Sequence, residues 1–170
     1  SEVSEEEYNE FYKSDFHDYA NPLRTISIHA EGTLSYDALL FIPSHAPYDL
    51  DSKDYKKAVA LLTPLTKSGN AEALYILGRL TQDGRGVKKS PQRAVTLFRQ
   101  AADKGLANAQ NALATALATG DGVRRNYGEA GRWFRKAAEQ GLAMAQYNLG
   151  YLYAHGRGVK ADRRIAMNMF

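Results

Sequence analysis

The 170-residue sequence has no cysteine, a single tryptophan, three methionines and five prolines. Without cysteine there are neither disulfides nor thiolate metal sites, which fits a reducing compartment and leans towards the cytoplasm without fixing it. No run of about 18 apolar residues is present to span a membrane as a helix. The chain opens at Ser1 on an acidic stretch with no signal-peptide pattern, so its N-terminus reads as processed or cut. Four histidines, His17, His29, His45 and His155, are too dispersed for a metal-ligand spacing. No serine, histidine and acid arrangement announces nucleophilic catalysis. The expectation is a chain with no metal, no cofactor and no enzymatic activity. What the chain does have is 44% hydrophobic and 24% charged residues, enough apolar material for a packed core.

The net charge of +3 conceals a division. Residues 1–70 carry 6 Lys+Arg against 12 Asp+Glu, whereas residues 71–170 carry 16 against 7. A break of that size predicts two segments of different character.

The second segment repeats itself. Three stretches beginning at Ala71, Ala107 and Ala143 align with a period of 36 residues. The columns include Ala73/Ala109/Ala145, Leu77/Leu113/Leu149, Gly84/Gly120/Gly156, Gly86/Gly122/Gly158, Val87/Val123/Val159 and Ala94/Ala130/Ala166. In each unit a first helix has Leu77 and Leu80, or their counterparts, as its apolar stripe, and small residues such as Ala73 and Gly78 admit a neighbouring backbone. A Gly-x-Gly-Val turn follows. The second helix places Ala94, Leu97, Phe98 and Ala101 at i, i+3, i+4 and i+7, and Gly105 stops it. One such hairpin cannot bury both of its faces, so hairpins must stack.

This pattern, A-x-A-x-x-x-L-G followed by G-x-G-V, then A, W/F-F and A-A-x-x-G, resembles the Sel-one-like repeat, a relative of the tetratricopeptide repeat. The second copy departs from it at Ala114 and at Gly131 inside the second helix, the latter costing up to about 1 kcal/mol. Stepping back 36 residues from Ala94, Leu97, Phe98 and Gly105 reaches Ala58, Leu61, Leu62 and Gly69, so Asp54–Ser68 is expected to be the second helix of an earlier, incomplete repeat. The resemblance implies an α-solenoid over residues 51–170, with an incomplete repeat at 53–70, repeats at 71–106 and 107–142, and a truncated one at 143–170.

The first fifty residues read differently. Ser4-Glu5-Glu6-Glu7 is a capping box, and Tyr8, Phe11, Tyr12, Phe16 and Tyr19 form an amphipathic aromatic stripe behind it. After Asn21-Pro22 the pattern alternates, Ile26/Ile28/Ala30 and then Leu34/Tyr36/Ala38/Leu40/Ile42, predicting a helix followed by a β-hairpin. The run from Glu5 to Lys13 and the run from Ala38 to Leu50 resemble the start of the middle domain of heat-shock protein 90-class chaperones, in particular the bacterial HtpG branch. In that family the nucleotide sits in a domain not represented here, so the resemblance implies no ATPase. The fold class expected is α+β overall and mainly α, a helix-and-hairpin piece over 1–50 joined near Leu50 to the solenoid. A chain that changes family midway reads as a chimera or an excised piece.

Function is expected to be that of a noncatalytic protein–protein interaction scaffold. Solenoids of this kind bind along their first helices, and the informative columns are those that differ between copies: Glu72/Asn108/Met144, Tyr75/Asn111/Tyr147 and Arg79/Thr115/Tyr151. The partner implied is a protein or peptide, and self-association is open to a chain with incomplete ends. A recurrent basic set, Lys88, Lys89, Arg124, Arg125 and Lys160, should align along the loop edge, either as a solvated rim or as a surface for acidic protein or nucleic acid. No aromatic interleaving favours nucleic acid. The stretch Gly84–Ser90 has the residue types of a phosphate cradle without the order of one. Two other classes stay on the table: a chaperone-related piece making client or subunit contacts, and a hydrolase of the kind found among disulfide-rich relatives of these repeats, a likeness the missing cysteines remove.

Overall fold

The computed structural model describes residues 52–169, which lie in the second of two units dividing after Asp51. Seven helices follow one another: α1 Ser52–Lys67, α2 Ala71–Asp83, α3 Pro91–Asp103, α4 Ala107–Thr119, α5 Tyr127–Glu139, α6 Ala143–His155 and α7 Arg163–Asn168. Among the described residues there is no strand, so this unit is all α. The N-terminal helix and the β-hairpin expected over Ile26–Ile42 lie outside the described residues.

Helix starts recur at the sequence period, α2, α4 and α6 as first helices and α3, α5 and α7 as second helices. The second helices are capped by side chains: Ser90 Oγ accepts from Arg93 N at 3.2 Å, Asn126 Oδ1 from Glu129 N at 3.0 Å, and Asp162 Oδ1 from Arg164 N and Ile165 N at 2.9 and 3.1 Å. Each such bond satisfies an amide that a helix start otherwise leaves open, typically contributing about 1 kcal/mol. Each first helix ends on the first glycine of the turn, in the left-handed region at φ 72°, 79° and 61° for Gly84, Gly120 and Gly156.

The second glycine of the turn sets the stacking. A Cβ on Gly86 would lie 2.4 Å from the Tyr55 backbone carbon, one on Gly122 2.3 Å from that of Pro91, and one on Gly158 2.4 Å from that of Tyr127. In all three units this glycine therefore rests directly on the first turn of the second helix of the unit before it. Its φ, between 68° and 70°, is also positive. Only glycine meets both demands.

The core forms where the two layers meet. Leu77, Leu80, Ala94, Leu97, Phe98 and Ala101 are all buried, as are Leu113, Leu117, Phe134, Leu149 and Leu152 in later units. The helix α1 takes the slot of a second helix, with Ala58 and Leu62 buried as the shifted columns require. Leu61 departs from that expectation and is 47% exposed. Its equivalent Leu97 lies against Gly78 of its own first helix, and no such helix precedes α1 among the described residues.

Candidate binding surface

The three columns singled out in the sequence all fall on first helices, at i, i+3 and i+7 of α2, α4 and α6. Their exposure rises along the chain. Glu72, Tyr75, Arg79, Asn108 and Asn111 are half-buried, whereas Thr115, Met144, Tyr147 and Tyr151 are exposed. Position 75/111/147 points towards the next unit: Asn111 Oδ1 accepts from Asn148 Nδ2 of α6 at 3.2 Å. In the first unit Tyr75 leans on the core, its ring centroid 6.0 Å from that of Phe98. Thr115 donates to Asn111 O at 2.9 Å, a local bond that leaves its methyl at the surface.

Arg79 and Asp83 stand one turn apart on α2, and each holds one buried polar atom, Arg79 Nε and Asp83 Oδ2, with no hydrogen-bond partner among the described residues. Such atoms are scarce in folded proteins because each costs about 1–3 kcal/mol in lost solvation.

Tyr151 belongs to a cluster that inspection of single columns missed. The Arg157 guanidinium lies 5.5 Å from the Tyr127 ring centroid and 5.4 Å from that of Tyr151, joining α5 to α6 through the loop. Two units earlier Arg85 makes the same contact, 5.5 Å over Tyr55 with a 3.0 Å bond to its hydroxyl. The middle unit has Pro91 and Asp121 at these positions, and Asp121 Oδ2 accepts instead from Gln82 Nε2 at 3.2 Å. Arginine and tyrosine thus come and go together, a signal visible only when columns 55/91/127 and 85/121/157 are read jointly. The Arg125 hydrogen bond, with the Arg157 charge adding to it, holds the Tyr127 phenol below its usual range.

The stretch Gly84–Ser90 is a turn and cap: Gly84 closes α2 and the Ser90 hydroxyl caps α3. His155 Nδ1 lies 2.9 Å from Tyr151 O, a local contact within α6; the other three histidines are outside the described residues. The basic set is placed as expected, with Lys88, Lys89, Arg124, Arg125 and Lys160 all exposed in the loops that lead into second helices. Among the described residues there is one ion pair, Arg99 Nη1 to Glu129 Oε1 at 2.9 Å. No described helix is long and apolar enough to cross a membrane.

Two family models match the chain. The Hsp90 protein model covers residues 1–62 and the Sel1 repeat model covers 71–106, 107–142 and 143–170. The chaperone match therefore runs past Leu50 into α1. Chaperone protein HtpG of Streptomyces coelicolor is 55% identical over 60 residues, 35% of this chain and 9% of that protein. HtpG of Geobacter sulfurreducens is 54% identical over 61 residues, 36% of this chain and 9% of its own. The chain thus spans less than a tenth of these relatives. A Sel1 repeat protein from Oxalobacter formigenes superimposes with a TM-score of 0.65 at 34% identity, over 69% of this chain and 47% of that one. A protective antigen of uropathogenic Escherichia coli strains, described as displaying an SLR fold, gives 0.66 at 36% identity over 68% and 25%. With its repeat model spanning residues 71–170 and its helices stacked as in these solved relatives, the chain belongs to the Sel1 repeat family.

Proposed function

We propose that this chain is a noncatalytic scaffold that holds a protein or peptide partner on its first-helix layer. The contact residues are Glu72, Tyr75 and Arg79 on α2, Asn108, Asn111 and Thr115 on α4, and Met144, Tyr147 and Tyr151 on α6. The observation that carries this reading is the contrast between layers. The core columns repeat from unit to unit, while the first-helix face changes from charged to amide-rich to aromatic and grows more exposed. A face that varies in chemistry while the core columns repeat suits recognition of one extended partner by three chemically distinct patches.

The test is selection of binding peptides from a random library on the whole chain. Binders so found should lose affinity by at least about tenfold when Arg79 and Tyr151 are both replaced by serine, since contact residues of this type are often worth 1–2 kcal/mol each. They should be indifferent to Gln100→Ser and Arg132→Ser, exposed positions on second helices. Binders sensitive only to the second-helix pair would sink the assignment.

A second reading draws on the 55% identity of the first 60 or so residues to HtpG. On it, the N-terminal piece contributes client or subunit contacts without an ATPase of its own. Suppression of the aggregation of a heat-denatured client by the full chain is its expected outcome. A chain that leaves aggregation unchanged removes this reading and leaves the scaffold reading untouched.

A further inference from the structure

The loop edge carries a second surface, distinct from the first-helix face. In each unit the turn runs through three positions with different duties. Val87, Val123 and Val159 are partly buried against or beside the core. Ser90, Asn126 and Asp162 cap the second helices. Between them stands a column, Lys88, Arg124 and Lys160, that is exposed in all three units and makes no hydrogen bond, ion pair or ring contact with a described residue. The fold makes no use of these charges. Lysine and arginine alternate in the column, so what is retained is the charge and not the shape.

The surroundings strengthen that charge. Lys89 and Arg125 stand next to the column in the first two units, and Arg163 and Arg164 open α7 in the third, all of them exposed. The nearby acids are largely committed: Asp162 caps α7, Asp121 accepts from Gln82, and Glu129 is paired with Arg99. Residues 71–170 carry 16 Lys+Arg against 7 Asp+Glu, and one ion pair among the described residues neutralises little of this. The N-termini of three second helices face the same edge, adding their partial positive charge.

We propose that this edge binds an extended acidic segment of another protein, laid across the units so that its carboxylates meet Lys88, Arg124 and Lys160 in turn. Consecutive loops are tied together through Gly122 on the Pro91 backbone and Gly158 on that of Tyr127, so the charges of the column follow one another from unit to unit. Nucleic acid fits less well, because the tyrosines beside these loops, Tyr55 and Tyr127, lie under Arg85 and Arg157 and do not stand free for base stacking.

The experiment is fluorescence anisotropy of the full 170-residue chain with a labelled peptide bearing glutamate at every third position among serine and glycine. Binding is expected to saturate and to weaken on raising salt from about 50 to 150 mM. The triple variant Lys88→Gln/Arg124→Gln/Lys160→Gln should bind about tenfold more weakly or worse, at the exposed-pair values typical of such contacts, with an unchanged helical circular dichroism spectrum. The Met144→Ser variant, altered at a first-helix position that is 60% exposed and outside the loops, should bind as the parent does, which separates this surface from the first-helix face. A parent chain that fails to bind, or a triple variant that binds as tightly, overturns the proposal. A single-stranded oligonucleotide that displaces the peptide at lower concentration than unlabelled peptide does would reassign the edge to nucleic acid.

Discussion

Two glycines show how differently one residue type is used in this chain. Gly122 has φ 70°, and a Cβ there would meet the Pro91 backbone at 2.3 Å. Gly122→Ala should therefore cost about 3 kcal/mol, from left-handed strain and from forced separation of two units, read as a fall in the midpoint of urea unfolding. Gly131 sits inside α5 in helical conformation, with Leu152 Cδ1 at 3.5 Å and Val159 Cγ1 at 3.7 Å from the position of a Cβ, ordinary contact distances. Gly131→Ala should add about 1 kcal/mol through helix propensity and raise Tm by roughly 2–4 °C. A loss of stability in calorimetry would show that the α5–α6 contact has no room for the added methyl. The sequence makes both glycines visible, one in a column of glycines and one out of pattern. What it hides is the direction of each effect, which depends on the atoms opposite.

At the level of the helix, α5 is tied to its neighbours by polar contacts as well as by its apolar stripe. Glu129 accepts from Arg99 of α3 at 2.9 Å and from Trp133 Nε1 one turn on at 3.4 Å, and Lys136 lies 4.5 Å over the Trp133 ring. The Arg99 hydrogen bond and charge hold the Glu129 carboxyl below its ordinary value of 4.5. A carboxylate with a depressed folded pKa adds stability above its unfolded pKa, and that stability is lost as pH falls through the folded value. Unfolding free energy should then drop on acidification below about pH 4.5 more in the parent than in Glu129→Gln. Identical acid profiles would show that the pair contributes nothing. The helices themselves were legible: the 36-residue period recurs in the starts of α2 to α7, and the core residues Leu77, Phe98 and Ala101 lie where the apolar spacing puts them. Leu61 was misjudged because column logic presumes a first helix that α1 does not have among the described residues. The Gln140 to Gln110 bond at 2.9 Å, continued by Gln110 Nε2 to Ala102 O at 3.3 Å, was not legible at all. Glutamines in helices are commonly surface residues, and only the packing shows this one closing the carbonyl end of α3.

Over the whole described unit, each helix touches its neighbours in the chain and stability should pass from unit to unit as nearest-neighbour terms. The buried Leu62 of α1 offers a test. Leu62→Ala leaves a cavity worth about 3 kcal/mol, and amide hydrogen exchange should quicken most in α1 and α2, less in α4 and least in α6. Uniform quickening from α1 to α7 would mean that the unit unfolds as one block. The candidate surface was legible as a set of columns because repeats supply their own comparison. Its chemistry was not, since Tyr75 against Phe98, Asn111 bonded to Asn148 and Tyr151 beside Arg157 owe their roles to neighbours far off in sequence.

The seat of Gly86, Gly122 and Gly158 on the helix before them is main chain against main chain. At these seats the spacing of the units is set by main chain, while the outward faces are made of side chains. Spacing and recognition are separate variables. Exchanging the face of α4 for that of α6 should move an aromatic patch by one step along an unchanged scale, so that the order of the units can be rewritten like characters on a ruled line.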